Sequence, residues 1–452
     1  MATLLHAKRR VSAARRSWWV DGLEALVWLS AATGIAFMIA SGGLSYVETP
    51  ADGAYALGRA LGIVGAILAM AQMLLASRVP WVERALGHDG AIARHTRLGT
   101  VALVLMLIHL VLMTTITAGY DGRSVAAQLT AWPEYGWFML AAQVGAVAFI
   151  VVLVTSFSAV RMRIPYERWH AVHLLVYVGV AFAVPHQFLE GSTFRDGGAA
   201  WWFWALWWTV AWVSLLGYRV VRPLVLFIRH GLVVESVTPH VDGSTSVTLS
   251  GRNLERLRAQ SGQFFLWRFL SPGLRGQQHP FSLSAAPGDR LRITVKPSGD
   301  GSRAMASVTP GTRVWCEGPL GIFGEPTRTQ DSVVLVAAGI GITPVRALLE
   351  SASPDDDVTV VVRARSREEA PLLEEIEELA DARGADIHLV LGPRGTGWSS
   401  IDQPLTLTDI VANPSACDVY ICGPREWAES VQADAARAGV APSSIHREEF
   451  GW

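Results

Sequence analysis

The chain has 452 residues, 51% of them hydrophobic and only 17% charged, with 18 tryptophans. That balance excludes an ordinary soluble domain and implies a membrane protein with a soluble part, long enough for about three domains. A formal net charge of −1 gives no footing for nucleic acid. The three cysteines, Cys316, Cys417 and Cys422, lack CxxC or ferredoxin spacing, which argues against an iron–sulfur cluster and a disulfide framework.

Residues 1–22 form a basic tail with Lys8, Arg9, Arg10, Arg15 and Arg16, followed by Trp18 and Trp19 at interface depth. The apolar run behind them is long and leads into further spans, so it reads as a first span rather than a cleaved signal peptide. Six apolar segments follow, at 23–43, 55–78, 96–118, 136–159, 167–188 and 200–221. About fifteen Lys and Arg lie in the tail, in the loops joining spans two to three and four to five, and after span six. The opposite side has Arg59, Arg123 and Arg195, so both termini are expected in the cytoplasm of a bacterial-type plasma membrane.

The third span carries His95 and His109, fourteen positions apart. That is a rise of about 21 Å and a rotation about 40° short of four turns, so the two rings share nearly one face. In the fifth span His173 and His186 are thirteen positions apart, a rise of about 20 Å. Pairing His170 with His186 instead gives about 24 Å, a poorer match, so His173 is preferred. A lone histidine here reads as interhelical hydrogen bonding, but two pairs at matching depths suit the clamping of two stacked b-type haems.

The topology puts His95 and His173 near the cytoplasm and His109 and His186 near the outside. Thirteen ideal steps turn by about 220°, so the second pair needs a bend, which Pro185 is expected to supply. Arg59 and Arg97, at opposite ends of the bundle, either meet a haem propionate or an anionic acceptor or snorkel to the interface. Tyr177 and Phe182 lie between the two levels, as bridges or as packing and lipid-facing residues.

From Arg222 the pattern changes to short β-like runs broken by Gly and Pro: VVESVTPH, STSVTLSG, GQFFLWRF, HPFSLSAA, RLRITVKP and TRVWCEGPLG. These predict a small antiparallel barrel. After Pro326, strands alternate with Gly-rich turns and helices, which predicts an α/β domain with a parallel sheet. The expected fold is therefore multi-domain: a six-helix transmembrane bundle, an antiparallel β-barrel and an α/β parallel-sheet domain.

At HPFSLS, GIGITP and CGP the sequence resembles the ferredoxin–NADP reductase superfamily. With the six spans in front, the chain from about residue 20 to 452 resembles the ferric reductase and NADPH oxidase family. The resemblance implies a haem domain at 23–221, an FAD-binding domain at 222–326 and an NAD(P)-binding domain at 327–452.

It further implies that His279, Pro280, Phe281 and Ser282 form the flavin motif, Ser282 bonding the flavin and Phe281 lying along it. GDGSRAM resembles a pyrophosphate turn, in which Gly301 lets the backbone approach, Ser302 donates and Arg303 adds charge; otherwise it is a solvated turn. Gly339, Gly341, Thr343 and Pro344 match a nicotinamide-nucleotide motif, the glycines permitting close approach of a phosphate to a helix start. Cys422, Gly423 and Pro424 match the nicotinamide side, placing Cys422 near hydride transfer unless it is simply a buried strand end.

The terminal HREEFGW resembles an aromatic tail over the flavin, with Phe450 the first choice and Trp452 the reserve. Arg363, Arg365 and Arg367 follow the second strand of the nucleotide domain, where arginines favour a 2′-phosphate, so NADPH is expected, with NADH possible. Arg365 is the expected contact, unless all three are only exposed loop charges.

The expected function is electron transfer from NADPH through FAD and two haems to oxygen or a ferric chelate outside, with Ser282, Cys422 and Phe450 at the chemistry. One alternative is an electron-feeding subunit for a partner protein or quinone. Others are a transporter or structural protein that kept a reductase domain, and FMN in place of FAD. No EF-hand loop or long outer loop suggests a calcium switch or a large cap.

Overall fold

The computed structural model describes residues 2–448. By contacts the described residues divide into one unit of residues 20–82 and 89–218 and another of 2–19, 83–88 and 219–448.

Residues 2–230 are helical, and they include all of the first unit. Helices α1 (Ala2–Ala40), α2 (Pro50–Ala76), α3 (Pro80–Leu86), α4 (His88–Tyr120), α5 (Val125–Ala131) and α6 (Trp137–Ser156) come first. Then come α7 (Ser158–Arg161), α8 (Tyr166–His173), α9 (Leu175–Leu189) and α10 (Gly198–Leu216), with a π-helical turn leading to α11 (Arg222–His230). Six stretches are long and apolar enough to cross a membrane: 17–40, 50–76, 88–120, 137–156, 166–189 and 198–230. Large apolar residues such as Val111 on α4, Val147 on α6 and Leu206 on α10 point outward, which suits a lipid surrounding.

α2 is the inner helix: from Ile63 to Leu74 almost every residue is buried. A Thr49 capping box starts it, the hydroxyl accepting from Asp52 N–H while the Asp52 carboxylate accepts from Thr49 N–H. Polar glue sits deeper, where Gln187 Oε1 accepts from both Trp204 Nε1 (2.8 Å) and Trp208 Nε1 (3.0 Å).

The fifth span breaks in a different place from the one expected. Pro185 lies inside α9, which runs on to Leu189. The break falls at Leu174, directly after His173, where a tightened turn carries bonds from Leu174 N–H to the His170 carbonyl and from Tyr177 N–H to the Leu174 carbonyl. One missing N–H at Pro185 does not unwind a helix whose neighbouring bonds survive.

In the second unit the strands are β1 (Val233–Pro239), β2 (Thr245–Ser250), β3 (Phe264–Phe269), β4 (His279–Ser282), β5 (Arg290–Val295) and β6 (Val314–Leu320), with α12 (Asp300–Ala304) before β6. They do not close into the expected barrel. They make two three-stranded antiparallel sheets, β1-β2-β5 and β4-β3-β6, sharing a core of Val247, Leu249, Phe265, Trp267 and Ile293. Among the described residues two isolated bridges, Val233 to Arg313 and Leu283 to Ile293, link them, and β4 is four residues long.

The remaining elements are β7 (Ser332–Ala338), α13 (Ile342–Ser351), β8 (Asp357–Arg363), α14 (Leu373–Arg383), β9 (Asp386–Val390), α15 (Leu407–Ile410), β10 (Cys417–Cys422), α16 (Arg425–Arg437) and β11 (Ile445–Glu448). They form the expected parallel sheet, in order β11-β10-β7-β8-β9. The order reverses between β7 and β10, and ligands of such sheets bind at the carboxyl ends of the strands flanking that point.

Glu375 of α14 ties this sheet's helices to β5. It receives both terminal nitrogens of Arg292 (3.0 and 2.7 Å) and Nε of Arg346 (2.8 Å). Burial alone would raise its pKa, but the two guanidiniums outweigh burial and hold the carboxyl below its ordinary 4.5. A carboxyl depressed on folding stabilises above its unfolded pKa and loses that contribution as pH falls through the folded value. Thermal melts should therefore separate Glu375→Gln from wild type at pH 7 and bring the two together well below pH 4.5.

Candidate functional site

The four membrane histidines fall on α4, α8 and α9 as their spacing requires. His95 and His173 face one another with ring centroids 6.1 Å apart and planes at 71°. Two metal–imidazole bonds of about 2 Å each, plus the ring radii, would put centroids about 6 Å apart. Each ring can turn about its own metal–nitrogen bond, so the angle is no obstacle.

Among the described residues no group of three or more His, Cys, Asp or Glu gathers to hold a bare metal ion. Paired imidazoles suit an iron that arrives with its four porphyrin nitrogens. His173 also stacks on Trp169 (4.9 Å, 25°), over which lies the Arg161 guanidinium at 4.2 Å. His170 stacks on Tyr166 instead (5.8 Å, 11°), in keeping with the preference for His173.

His109 Nδ1 lies 2.8 Å from the Gly58 carbonyl, which can only accept, so the proton sits on Nδ1 and Nε2 is left with its lone pair. This is how metal-bound imidazoles are usually oriented. The ring lies against Gly62, where a Cβ would stand 2.6 Å from Nδ1. His173 Nδ1 and His186 Nδ1 are buried with no hydrogen-bond partner among the described residues, so these two rings lack the Nδ1 anchor that His109 has.

Arg59, next to Gly58, donates to the hydroxyls of Tyr46 (3.2 Å), Ser192 (2.7 Å) and Thr193 (2.8 Å), so among the described residues its hydrogen-bond partners are neutral. Arg97 is exposed. Phe182 is 43% exposed on the outer surface of its helix, whereas Tyr177 packs against the helical core.

The expected flavin residues gather on β4 and the turn before α12. Ser282 is 3% exposed and its Oγ has no partner among the described residues, and His279 Nε2 is buried and equally unpaired there. Burial holds the His279 imidazole toward its neutral form. His279 stacks parallel to Phe281 (5.7 Å, 8°), the Phe281 carbonyl accepts from Trp267 Nε1 (3.0 Å), and Pro280 pairs with Leu266.

Gly301 lies under His279, for a Cβ there would be 2.4 Å from His279 Cε1. Two orphaned polar atoms beside a close-approach glycine fit a bound pyrophosphate and flavin. Ser302 departs from its expected role: its Oγ accepts from the N–H groups of Ser298 (2.9 Å) and Gly299 (2.8 Å) and donates to the Gly299 carbonyl, so it shapes the turn.

At the other site Gly339 takes φ +55° and Gly341 abuts the next strand, where a Cβ would be 2.2 Å from the Cys422 carbonyl oxygen. This contact draws the β7 and β10 ends together. Thr343 Oγ1 donates to the Ile340 carbonyl (3.0 Å), Pro344 is buried in the first turn of α13, Gly423 packs on Trp427, and Pro424 precedes α16. Cys422 is fully buried, and burial, then Glu448, keep its thiol protonated. Glu448 pairs with Cys422 in the β10–β11 register. Phe450 and Trp452 lie outside the described residues.

The three arginines separate. Arg363 is buried, with its terminal nitrogens on the carbonyls of Ala364, Val390 and Gly392. Arg367 Nη2 donates to both carboxylate oxygens of Glu377 (2.7 and 2.6 Å). Arg365 remains exposed between them, and with Arg394 it lies close enough to Arg363 to lower the latter's pKa, after burial.

Sequence reasoning missed Gln72, Glu448 and Arg394. Gln72 carried a usable signal, a lone amide in an apolar span, whereas Arg394 looks in sequence like any charge in a glycine-rich loop.

The family described as "Ferric reductase like transmembrane component" matches residues 61–184, including His95, His109 and His173 and stopping two short of His186. The family described as "Oxidoreductase NAD-binding domain" matches 335–433. A flavohemoprotein from Xylella fastidiosa (strain Temecula1 / ATCC 700964) is 31% identical over 205 residues, 42% of this chain and 51% of that protein. The ferredoxin reductase component of 3-ketosteroid-9-alpha-monooxygenase from Mycolicibacterium smegmatis is 29% identical over 210 residues, 43% of this chain and 57% of its own. The chain thus spans about half the length of the curated relatives it matches. The flavohem-like FAD/NAD binding domain of nitric oxide dioxygenase from Vibrio cholerae overlays 49% of this chain and 99% of its own at TM-score 0.41 and 21% identity.

Proposed function

From a chain that joins a ferric reductase-like transmembrane component to an oxidoreductase NAD-binding domain, the architecture fused in ferric reductases and NADPH oxidases, we propose a transmembrane flavocytochrome that carries electrons from NADPH to an acceptor across the membrane. When bound, FAD supplies hydride acceptance and one-electron release, and two b-type haems supply the one-electron relay. The observation that carries the reading is the His95–His173 pair, 6.1 Å between centroids, with His109 oriented through Nδ1 in the same helix.

Each residue has a definable part. Ser282 Oγ offers a hydrogen bond to the flavin ring, and His279 Nε2 offers one on the pyrophosphate side. Gly341 holds the strand ends close enough for a dinucleotide. Cys422, buried and protonated, cannot act as a base, so it shapes the nicotinamide side. His95 with His173 and His109 with His186 would hold two haems through paired imidazoles, which would leave outer-sphere transfer to oxygen or a ferric chelate as the chemistry supplied. Arg59, its hydrogen-bond partners among the described residues all hydroxyls, would attract an anionic acceptor. The Lys and Arg bias supports cytoplasmic termini and outward electron flow.

The test is an anaerobic spectrum of the purified full chain before and after NADPH. Two reducible b-type haem signals with one FAD by extraction support the proposal; haem-free protein from haem-replete cells overturns it. A second measurement concerns the nucleotide. Removing a charge-assisted phosphate bond costs about 1.5–3 kcal/mol, or about 10- to 100-fold. Arg365→Ala should therefore raise the KM for NADPH by about tenfold or more and leave that for NADH unchanged. Equal shifts for both would show that Arg365 does not read the 2′-phosphate.

A further inference from the structure

We infer that Gln72 is a positioning residue for the His95 site, setting how strongly that imidazole donates to iron. The inference rests on the haem reading above. Gln72 is 9% exposed, an amide enclosed by the apolar residues of α2. A carboxamide at that depth is costly unless its hydrogen bonds are met.

They are met at His95. With the amide nitrogen toward the ring, it lies 2.7 Å from His95 Nδ1 and 2.9 Å from the His95 carbonyl oxygen, while the amide oxygen accepts from Gly99 N–H at 3.2 Å. In that arrangement Nδ1 accepts and the proton resides on Nε2. Ligation through Nε2 needs the reverse, with Nδ1–H donating to the amide oxygen. A carboxamide can serve both tautomers by exchanging its ends, which neither a carbonyl nor an ammonium can do. The exchange gives up the bonds to the His95 carbonyl and Gly99 N–H, so iron binding here draws against a local network.

The other three rings differ. His109 meets a main-chain carbonyl, fixed as an acceptor, and His173 and His186 have no Nδ1 partner among the described residues. Of the four rings, only His95 is held by a side chain, so only there can one substitution change the ligand's hydrogen bond and leave the backbone intact. An acceptor at Nδ1 makes the imidazole a stronger donor and favours the oxidised iron.

The experiment is a redox titration of the full-length protein, with low-temperature EPR of the oxidised haems, in wild type, Gln72→Leu and Gln72→Glu. The His95 step is identified in a His109→Ala background. Gln72→Leu should raise the His95-site midpoint and shift its low-spin EPR signal, with haem held about 10- to 100-fold more weakly. Gln72→Glu, a permanent acceptor, should lower the same midpoint. The other haem and the flavin should not move in either variant. Selective loss of that one haem in Gln72→Leu supports the inference equally, and if that variant fails to fold, Gln72→Glu decides alone. Unchanged midpoint and EPR signal in the folded variants overturn the inference and leave the flavocytochrome intact. A wild type without haem overturns the proposed function instead.

Discussion

His109→Ala is expected to abolish one of two b-type haem signals and leave the other reducible by NADPH, while reduction of an external acceptor falls by more than 100-fold. Second-shell losses around a metal cost about 10- to 100-fold, and removing an axial ligand goes further. The selectivity follows from position. His109 lies fourteen residues along α4 from His95, about 21 Å in rise, and makes its Nδ1 bond to Gly58 on a different turn of α2 from the one Gln72 occupies. The remaining site, His95 with His173 at 6.1 Å, shares no residue with it. Reduced-minus-oxidised spectra of the purified variant check this directly. Retention of both haems, or loss of both from a folded protein, would sink the assignment of one His per helix to each iron.

Gly301→Val is expected to empty the flavin site while both haems stay. Its Cβ would stand 2.4 Å from His279 Cε1 and 2.8 Å from Gln277 Oε1, closer than side chains tolerate. Relief requires pushing His279 off its parallel stack with Phe281 and turning the unpaired Nε2 away from the cradle. Overpacking of this kind costs about 1–3 kcal/mol, and as a binding loss that is about 5- to 150-fold. Extracted FAD per polypeptide should fall accordingly, haem per polypeptide should hold, and NADPH should no longer reduce the haems. Dithionite should still do so, which separates a missing flavin from a damaged haem site. Stoichiometric FAD in the variant would mean that the turn at Gly301 does not hold the cofactor.

The parts legible in the sequence were those set by composition and periodicity. Six apolar runs must become six helices, since lipid offers the backbone no other partners, and alternating strands and helices after Pro326 must give a parallel sheet. Histidine spacing set depth and ideal rotation, but not where the fifth span breaks. Pro185 looked like the bend because proline is the visible breaker, yet the break came at Leu174, where no residue type marks it. Closure of the antiparallel part was not legible because it depends on whether the short β4 finds a second neighbour, which is a tertiary matter. Ser302 carried the right residue type for an anion, but its hydroxyl satisfied the adjoining backbone first, the ordinary competition between serine and its own turn.

Because the acceptor for His109 Nδ1 belongs to the main chain at Gly58, no exchange of one amino acid for another deletes it. Any heritable retuning of that ring has to come from moving α2 itself, by a larger residue at position 62 or 58, where added carbons would meet His109 and Leu112. One imidazole of this chain is therefore adjustable by spelling and the other only by carpentry.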